Sequence, residues 1–583
     1  MKIILSIIVA VCCVVHTAEA QLTTTGAQIV STTIGGEAPS GPSQNSAIAP
    51  NGDIIVFSSE AKNLVADDNN EFSDIFKSVK GVISLVSKSS SGAFPKGYSK
   101  DPAISPILPD GGYAIVFASK ARDIVSGYQP PPPSESPNPM QIYMRLEPSG
   151  ETILISRALD ADRNPVPLLG GNDQSIFPSV TVVPSNPPKF MIGFLSRATN
   201  IGLSGDGGGN VASIAPFVAF VKIQRNGLAV VEDIETTMTR PDADCFDLVL
   251  SGNGSYVAFS SKATNFGAKG DFTGGHQQVF LHELVRNKDP NSNLDNTFVL
   301  SKAADGTLGD GDSSLPSLSF RGDIRTFLTQ ASNLGGNTTN AVATISNSTN
   351  KVPAVINTSI DGAVSNGKAT SAKISPNGFY VAFSDTGTNL AEGPTGSFAQ
   401  SYIKNVITGE VLRTSVTSSG VAGDETSAQV SIGGAGFNSL AVRTSFTSRA
   451  SNLNSIGAGG ANPPIYRADI DVPPPPLTSG VILSAPPDIA ITSRKATFTL
   501  QEFADANIGS LNVGTFATSV KYNVEIRLAR PKTRIIRNTT RNQITARKLS
   551  PGRYTVRYRV TGETSSGTAI KSSYSPRQTF VIE

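Results

Sequence analysis

A short apolar run ending in Phe, followed by Ser and small residues and then by Asn-Leu or a variant, recurs seven times along this chain. It reads VFSSEAKNLV at Val56–Val65, VFASKARDIV at Val116–Val125, GFLSRATNIG at Gly193–Gly202 and AFSSKATNFG at Ala258–Gly267. Looser copies are FLTQASNLG at Phe327–Gly335, AFSDTGTNLA at Ala382–Ala391 and SFTSRASNLN at Ser445–Asn454. The Phe residues (57, 117, 194, 259, 327, 383, 446) lie 56 to 77 residues apart. A period of that length means an array of similar units, none of which can bury its own apolar face alone.

Each unit parses into four strands. Strand A closes on a turn, as in SAIAPNG (Ser46–Gly52), LVLSGNG (Leu248–Gly254) and SAKISPNG (Ser371–Gly378). Its Asn-Gly pairs call for tight hairpins with positive φ at both positions. Strand B ends in the Phe-Ser phrase. Strand C is short, as in DIFKS (Asp74–Ser78), QIYMR (Gln141–Arg145) and QVFLH (Gln278–His282); strand D closes the unit, as in ISLVSK (Ile83–Lys88) and TILISR (Thr152–Arg157). The seventh unit has A, B and C but stops at Asp471, before Pro473–Pro476. AQIVSTT at Ala27–Thr33 reads as its missing strand D, so that the start of the chain closes the ring and leaves no open edge. The expectation is an all-β chain: a seven-bladed β-propeller over residues 21–472, closed by an N-terminal strand, with six or eight blades as the alternative parses. A Pro-rich linker follows at 473–480, and then a β-sandwich at 481–583.

The phrases Ser-Pro-Asn-Gly (Ser375–Gly378) and YVAFS (Tyr380–Ser384), with the Asn-rich loop before Asp74–Phe76, resemble TolB-like propeller repeats, relatives of the WD-repeat class. Such a resemblance implies a fold and says little about chemistry. In the last hundred residues LSPGRYTVRYRV (Leu549–Val560) resembles the fibronectin type III pattern. That likeness assigns Tyr554 to a tyrosine corner, its hydroxyl bonding back to nearby backbone.

Residues 1–20 read as a secretory signal: Lys2, an apolar core at Ile3–Val15, and Ala18-Glu19-Ala20 at the cleavage site. No other stretch reaches the roughly 20 apolar residues a spanning helix needs. The expectation is a secreted protein, extracellular or periplasmic, monomeric, without a transmembrane segment and with no role in nucleic-acid binding. Cys245 is the one thiol left after cleavage, so no internal disulfide forms. Charge is polarised, with a balance of +10 from Leu477 onward against −8 over 21–476. An acidic body with a basic tail points to different partners for the two parts.

Histidine chemistry is poorly supplied, since only His276 and His282 remain in the mature chain, and both read as ordinary surface residues. Acids are abundant in the loops that a propeller places on one face: Asp67, Asp68, Asp206 and Asp271 in B–C loops, and Asp173, Asp242, Asp244, Asp310, Asp312, Asp424 and Glu425 in D–A loops. ADDNNE (Ala66–Glu71) and GDGDSS (Gly309–Ser314) offer clustered oxygens of the kind calcium takes, with Asp67, Asp68, Asp310 and Asp312 as ligands. Otherwise no cofactor is implied. The same face carries Lys62, Arg122, Arg197, Lys262 and Arg449. In the basic domain Arg553, Arg557 and Arg559 alternate onto one strand face and would meet an anionic surface. Five Asn-x-Ser/Thr sequons, at Asn253, Asn337, Asn347, Asn357 and Asn538, would carry glycans in a eukaryotic secretory pathway. The resulting reading is a secreted non-catalytic binding or scaffold protein for an extracellular protein or polysaccharide. Its rival is a carboxylate-based polysaccharide hydrolase or lyase; the absence of tryptophan weighs against sugar stacking.

Overall fold

The computed structural model describes residues 22–108, 110–130, 138–162, 164–183, 189–201, 213–224, 227–236, 240–266, 275–284, 297–336, 342–347, 352–393, 396–406, 408–434, 442–471, 488–492, 495–499, 507–508, 511–512, 517–528, 534–539, 543–546, 549–564, 569–571 and 578–582. The chain is all-β, with one short 3-10 turn at Ser332–Leu334 among the described residues. The signal-like segment and the tetraproline lie outside them.

Six consecutive four-stranded antiparallel sheets give a propeller arrangement. Their A strands are Ser43–Ile48, Ser99–Ile104, Ser175–Val183, Cys245–Leu250, Ser313–Leu318 and Ala369–Ile374 (sheets 1 to 6). A further four-stranded sheet, here sheet 7, combines Ser427–Gly434, Val442–Ser448 and Ile465–Asp471 with the first strand of the chain, Thr23–Ile29. The register pairs Ala27 with Ala468 and Ile29 with Tyr466. The A strands touch in succession, and that of sheet 7 touches that of sheet 1. One hairpin departs from the repeat: Arg157–Leu159 pairs with Pro165–Gly170 between sheets 2 and 3.

The recurring phrase now has a physical meaning. Its Phe is buried and stacks on the aromatic residue directly across on strand C in six sheets: Phe57 on Phe76, Phe117 on Tyr143, Phe194 on Phe217, Phe259 on Phe280, Phe383 on Tyr402 and Phe446 on Tyr466, at centroid distances of 5.4–6.0 Å. Such pairs add stabilisation beyond their buried area. Sheet 5 lacks the pair, because Phe327 faces Thr344. The Ser ending strand B bonds the first Ser of strand A, as in Ser43–Ser59, Ser99–Ser119 and Ser175–Ser196, each at 2.9 Å. The same hydroxyl accepts the N–H two residues on, as Ser59 does from Ala61 at 3.1 Å.

The Asn of the phrase is a staple. In sheet 4, Asn265 Oδ1 accepts the Asp242 N–H at 3.1 Å, and its Nδ2 donates to the Arg240 carbonyl at 2.8 Å. Asn63, Asn200, Asn333, Asn389 and Asn452 repeat this on the D–A loops that lead into their own sheets. In sheet 2 Asp123 accepts the Lys96 N–H at 3.1 Å. The B–C and D–A loops therefore share one face.

The A–B turns differ from the expectation in one respect. Gly52, Gly254 and Gly378 take positive φ (83°, 68° and 78°), but their preceding Asn residues do not. Each Asn instead accepts the N–H two residues on with its side chain, as Asn377 does from Phe379 at 3.1 Å. These are Asx turns with one left-handed glycine rather than two-residue hairpins with two positive φ values.

The C-terminal unit contains a three-stranded sheet (Asp488–Thr492, Lys495–Thr499, Gln543–Ala546) and a five-stranded one built on Ala517–Leu528 and Gly552–Thr564. Phe498 of the first meets Phe580 of the second at 5.4 Å. The Tyr554 hydroxyl donates to the Ser550 carbonyl at 2.8 Å, the bond expected of a corner tyrosine.

Two outcomes test this architecture. Deleting residues 21–31 strips sheet 7 of its outer strand and exposes a paired edge. The thermal midpoint should fall by several degrees, with concentration-dependent association in light scattering; an unchanged midpoint would mean that the pairing contributes nothing. Asn265→Ala leaves the Asp242 N–H and Arg240 carbonyl without their partner and should cost about 1–3 kcal/mol in chemical denaturation.

Candidate functional site

The loop face is the place to look for function, and several of its acids are bonded to its own loops. Asp242 Oδ1 accepts the Thr264 N–H at 2.7 Å and its Oδ2 the Thr264 hydroxyl at 2.5 Å. Asp310 does the same with Ser332, and Asp424 with Ser451. The Ser332 hydroxyl holds Asp310 below the usual carboxylate range. Burial pushes Asp424 upward, but its Ser451 and Asn452 bonds outweigh it and leave the group lowered. Asp244 joins Arg197 at 3.0 Å and accepts the Ile214 N–H at 2.7 Å. Asp312 accepts the Gln277 N–H at 2.7 Å, with Lys262 at 4.0 Å and His276 at 3.6 Å.

Asp67, Asp68, Asp310 and Asp312 thus fall into two separate loops, of sheet 1 and of the entry to sheet 5. Among the described residues no three His, Cys, Asp or Glu side chains gather as a metal cage. Of the second pair, Asp310 has both oxygens bonded to Ser332, and Asp312 accepts the Gln277 N–H with the Lys262 ammonium 4.0 Å away. Asp67 sits in a left-handed turn (φ 61°). Asp68 is raised by burial, moderated by the Asn70 N–H and by Lys62. Asp206 and Asp271 lie outside the described residues.

The most perturbed acid is Asp74, which the sequence did not single out. It is fully buried, and burial raises it to about 7 against the bonds it accepts from Asn70 and Ser87, with Asp68 and Asp123 adding like charge. Sister sheets show its origin. Gln141, Gln278 and Gln400 start strand C in sheets 2, 4 and 6; each accepts a Ser hydroxyl with Oε1 and donates Nε2 to the next D–A loop, at the carbonyls of Gly171, Gly309 and Gly423. In sheet 1 Asp74 takes the Ser87 hydroxyl at 2.8 Å, and the neighbouring Asn70 amide reaches the Pro95 carbonyl at 3.1 Å. An Asp–Asn pair does the work of one Gln, leaving a carboxyl in a dry place. Asp123, whose like charge acts on Asp74, lines a cavity of about 540 Å³ with Lys96, Lys120, Arg122 and Asn138.

The axial mouth was also missed. Each A strand shifts register after its second residue, or after its first in sheet 6. The third residue is left-handed in six sheets: Asn45, Asp101, Phe177, Asp247, Leu315 and Gln429, all with φ of 51–57°. Asn and Asp tolerate this conformation; Phe and Leu do so only when the surroundings impose it. Bonds between neighbouring sheets accompany it at Asn45 and Leu315: Asn45 N–H to Gln429 Oε1 at 3.2 Å, Asn45 Nδ2 to Asp101 Oδ1 at 3.3 Å, and Leu315 N–H to Asp247 Oδ2 at 3.2 Å. Burial raises Asp101, partly offset by Lys100 at 3.5 Å. Phe246, beside Asp247, is exposed.

The remaining expected residues are placed as follows. Arg553, Arg557 and Arg559 share one face of Gly552–Thr564, opposite buried Tyr554, Val556 and Tyr558. Cys245 is fully buried and free, in the place of the strand-A Ser of five sister sheets, and burial pushes its thiol up, away from reactivity. His276 is exposed, but His282 is buried and bonded to the Thr297 hydroxyl at 2.9 Å, which corrects its surface reading. Asn357 is fully buried and donates to Asp385 at 2.8 Å, a placement that leaves no room for a glycan in the folded chain. Asn253 is half-buried in an A–B turn. Asn347 and Asn538 are placed only by their strands, Val342–Asn347 and Arg534–Thr539, and Asn337 lies outside the described residues.

No family model matches the chain, and no curated protein does. Among solved structures, the β-propeller domain of the Trilobed protease from Pyrococcus furiosus is similar at 9% identity and TM-score 0.37, covering 74% of this chain and 94% of that one. An Agrobacterium tumefaciens structure described as TolB is similar at 9% identity and TM-score 0.29, covering 57% and 83%. The Trypanosoma rangeli sialidase is similar at 8% and 0.30, covering 93% and 88%. At these values the likenesses carry no functional argument. No helix among the described residues is long and apolar enough to cross a membrane.

The Asp74 account has a pH signature. Between its ordinary value of 3.8 and about 7 the folded chain holds a proton that the unfolded chain has released. Stability contributed by that proton is therefore lost as pH climbs through this window and is flat above it. Asp74→Asn should gain a few degrees in thermal midpoint on the wild type between about pH 4.5 and about pH 7.5. A gap that does not change with pH would place the Asp74 carboxyl in an ordinary, solvated setting.

Proposed function

We propose that this chain is an exported, non-catalytic binding or scaffold protein built on a closed seven-bladed propeller, residues 21–472, with Thr23–Ile29 completing the last blade. Its B–C/D–A face binds an extracellular protein or polysaccharide. A fibronectin type III-like sandwich at 481–583, joined by the Pro-rich 473–480 linker, contacts an anionic surface through Arg553, Arg557 and Arg559. Residues 1–20 act as its signal, the mature chain is a monomer, and Asn253 is the sequon whose position in a turn best suits a glycan.

The observation that carries this reading is the commitment of the face's acids to its own loops. Asp242, Asp310 and Asp424 each bind a neighbouring loop through both oxygens. A face locked in this way is a preorganised platform, which lowers the ordering cost of binding. The rival reading, a carboxylate-based polysaccharide hydrolase or lyase, draws support from Asp74, whose value near 7 and proximity to Asp68 and Asp123 suit an acid catalyst.

Binding of the mature protein to a glycan and surface-polymer array, with product release followed in parallel, separates the two. Retention without cleavage, weakened by deletion of 473–583, is the expected result. Cleavage abolished by Asp74→Asn would instead establish the enzyme.

A further inference from the structure

Because the chain repeats itself, each sheet can be compared with its siblings, and one buried position breaks the pattern in kind. The strand-D residue paired with the strand-C aromatic position is Leu85 in sheet 1, Leu154 in sheet 2, Val299 in sheet 4, Val355 in sheet 5 and Ile29 in sheet 7. Sheet 3 has Thr236 there. Sheet 6 has Arg413, paired with Tyr402 and only 6% exposed.

A buried guanidinium is costly unless an anion accompanies it. Arg413 forms no ion pair with a carboxylate among the described residues. Its Nη2 donates to the carbonyls of Ala391 and Gly393 at 3.3 and 3.2 Å, and its plane lies 5.9 Å from the Tyr402 ring centre. Its Nε is buried with no hydrogen-bond partner. The nearby acid Asp385 is committed to Ser365, Asn357 and the Gly387 N–H. Arg413 lines a cavity of about 510 Å³ on the loop face, together with Glu392, Gly393, Phe398, Gly420 and Asn452. That volume suits a small molecule of one or two rings. Asp424 also lines it, with its oxygens already bound to Ser451. Glu392 is exposed at the lip.

We propose that this cavity binds a small organic carboxylate, with the Arg413 guanidinium as its counter-ion, Phe398 as an apolar wall and the Asn452 side of the cavity as its polar one. The planar fork of an arginine matches a carboxylate better than a lysine would. The site stands on the geometry of sheet 6 and does not depend on whether the face as a whole holds a protein or a polymer. The carboxylate could belong to an acidic sugar or to a free aromatic or aliphatic acid, and the probes distinguish these.

Calorimetric titration of the full mature protein with galacturonate, benzoate and citrate, against galactose and sodium sulfate at matched ionic strength, tests it. At least one carboxylate should bind where galactose and sulfate do not; which of the three binds identifies the source. Arg413→Leu, which installs the side chain of sheets 1 and 2, should keep or raise the thermal midpoint and weaken that binding at least roughly tenfold. Glu392→Gln, which removes the competing charge at the lip, should tighten it a few-fold. If Arg413→Leu fails to fold, Arg413→Lys should still weaken binding several-fold. No binding by any of the three carboxylates, or binding unchanged in the Arg413 variant that folds, overturns the proposal.

Discussion

One interaction holds the working face of this molecule together: an Asn side chain that bonds both an N–H and a carbonyl of the loop leading into its own sheet. A propeller sheet gains its stability from packing against its neighbours, and its loops would otherwise carry backbone groups with no regular partner. The staple supplies those partners, as Asn265 does for Asp242 and Arg240. The loop acids answer it in reverse, from Asp242 to Thr264 and from Asp424 to Ser451. Two side chains thus close a four-bond clasp. A ring of such clasps turns a face made wholly of loops into a fixed surface.

The repetition also provides an internal standard. Where all sheets agree, a residue is serving the fold; where one departs, the departure needs its own explanation. Cys245 departs mildly, as a small buried group in place of a serine. Asp74 departs more, replacing a neutral Gln with a carboxyl that a neighbouring Asn must complement. Arg413 departs furthest, placing a charge where its siblings place aliphatic or small groups. The first two are accounted for by contacts within the chain. The third lacks an anionic partner of its own among the described residues.

Much of the fold was legible because the strand period and the Phe-Ser phrase are local signals. The aromatic partners of Phe57, Phe117 and Phe259 stand in DIF, QIY and QVF, and the pairing of Ala27–Ile29 with sheet 7 followed from the strand that the seventh unit lacks. The site was less legible. Counting acids by loop correctly gathered them on one face but could not show that Asp310 and Asp424 spend both oxygens on a serine two sequence-distant loops away. Asp74 looked like any strand residue, because its burial depends on packing against sheet 2. The left-handed residues at the axial mouth share a position rather than a side-chain type: Phe177 and Leu315 give no composition cue for it.

Hydrogen exchange of the loop amides, followed with and without calcium, addresses the clasp directly. The Thr264, Ser332 and Ser451 N–H groups, each bonded to an Asp, should exchange slowly without calcium and be unaffected by it. Fast exchange at these amides that slows only when calcium is added would contradict the clasp and return the acids to the role of metal ligands.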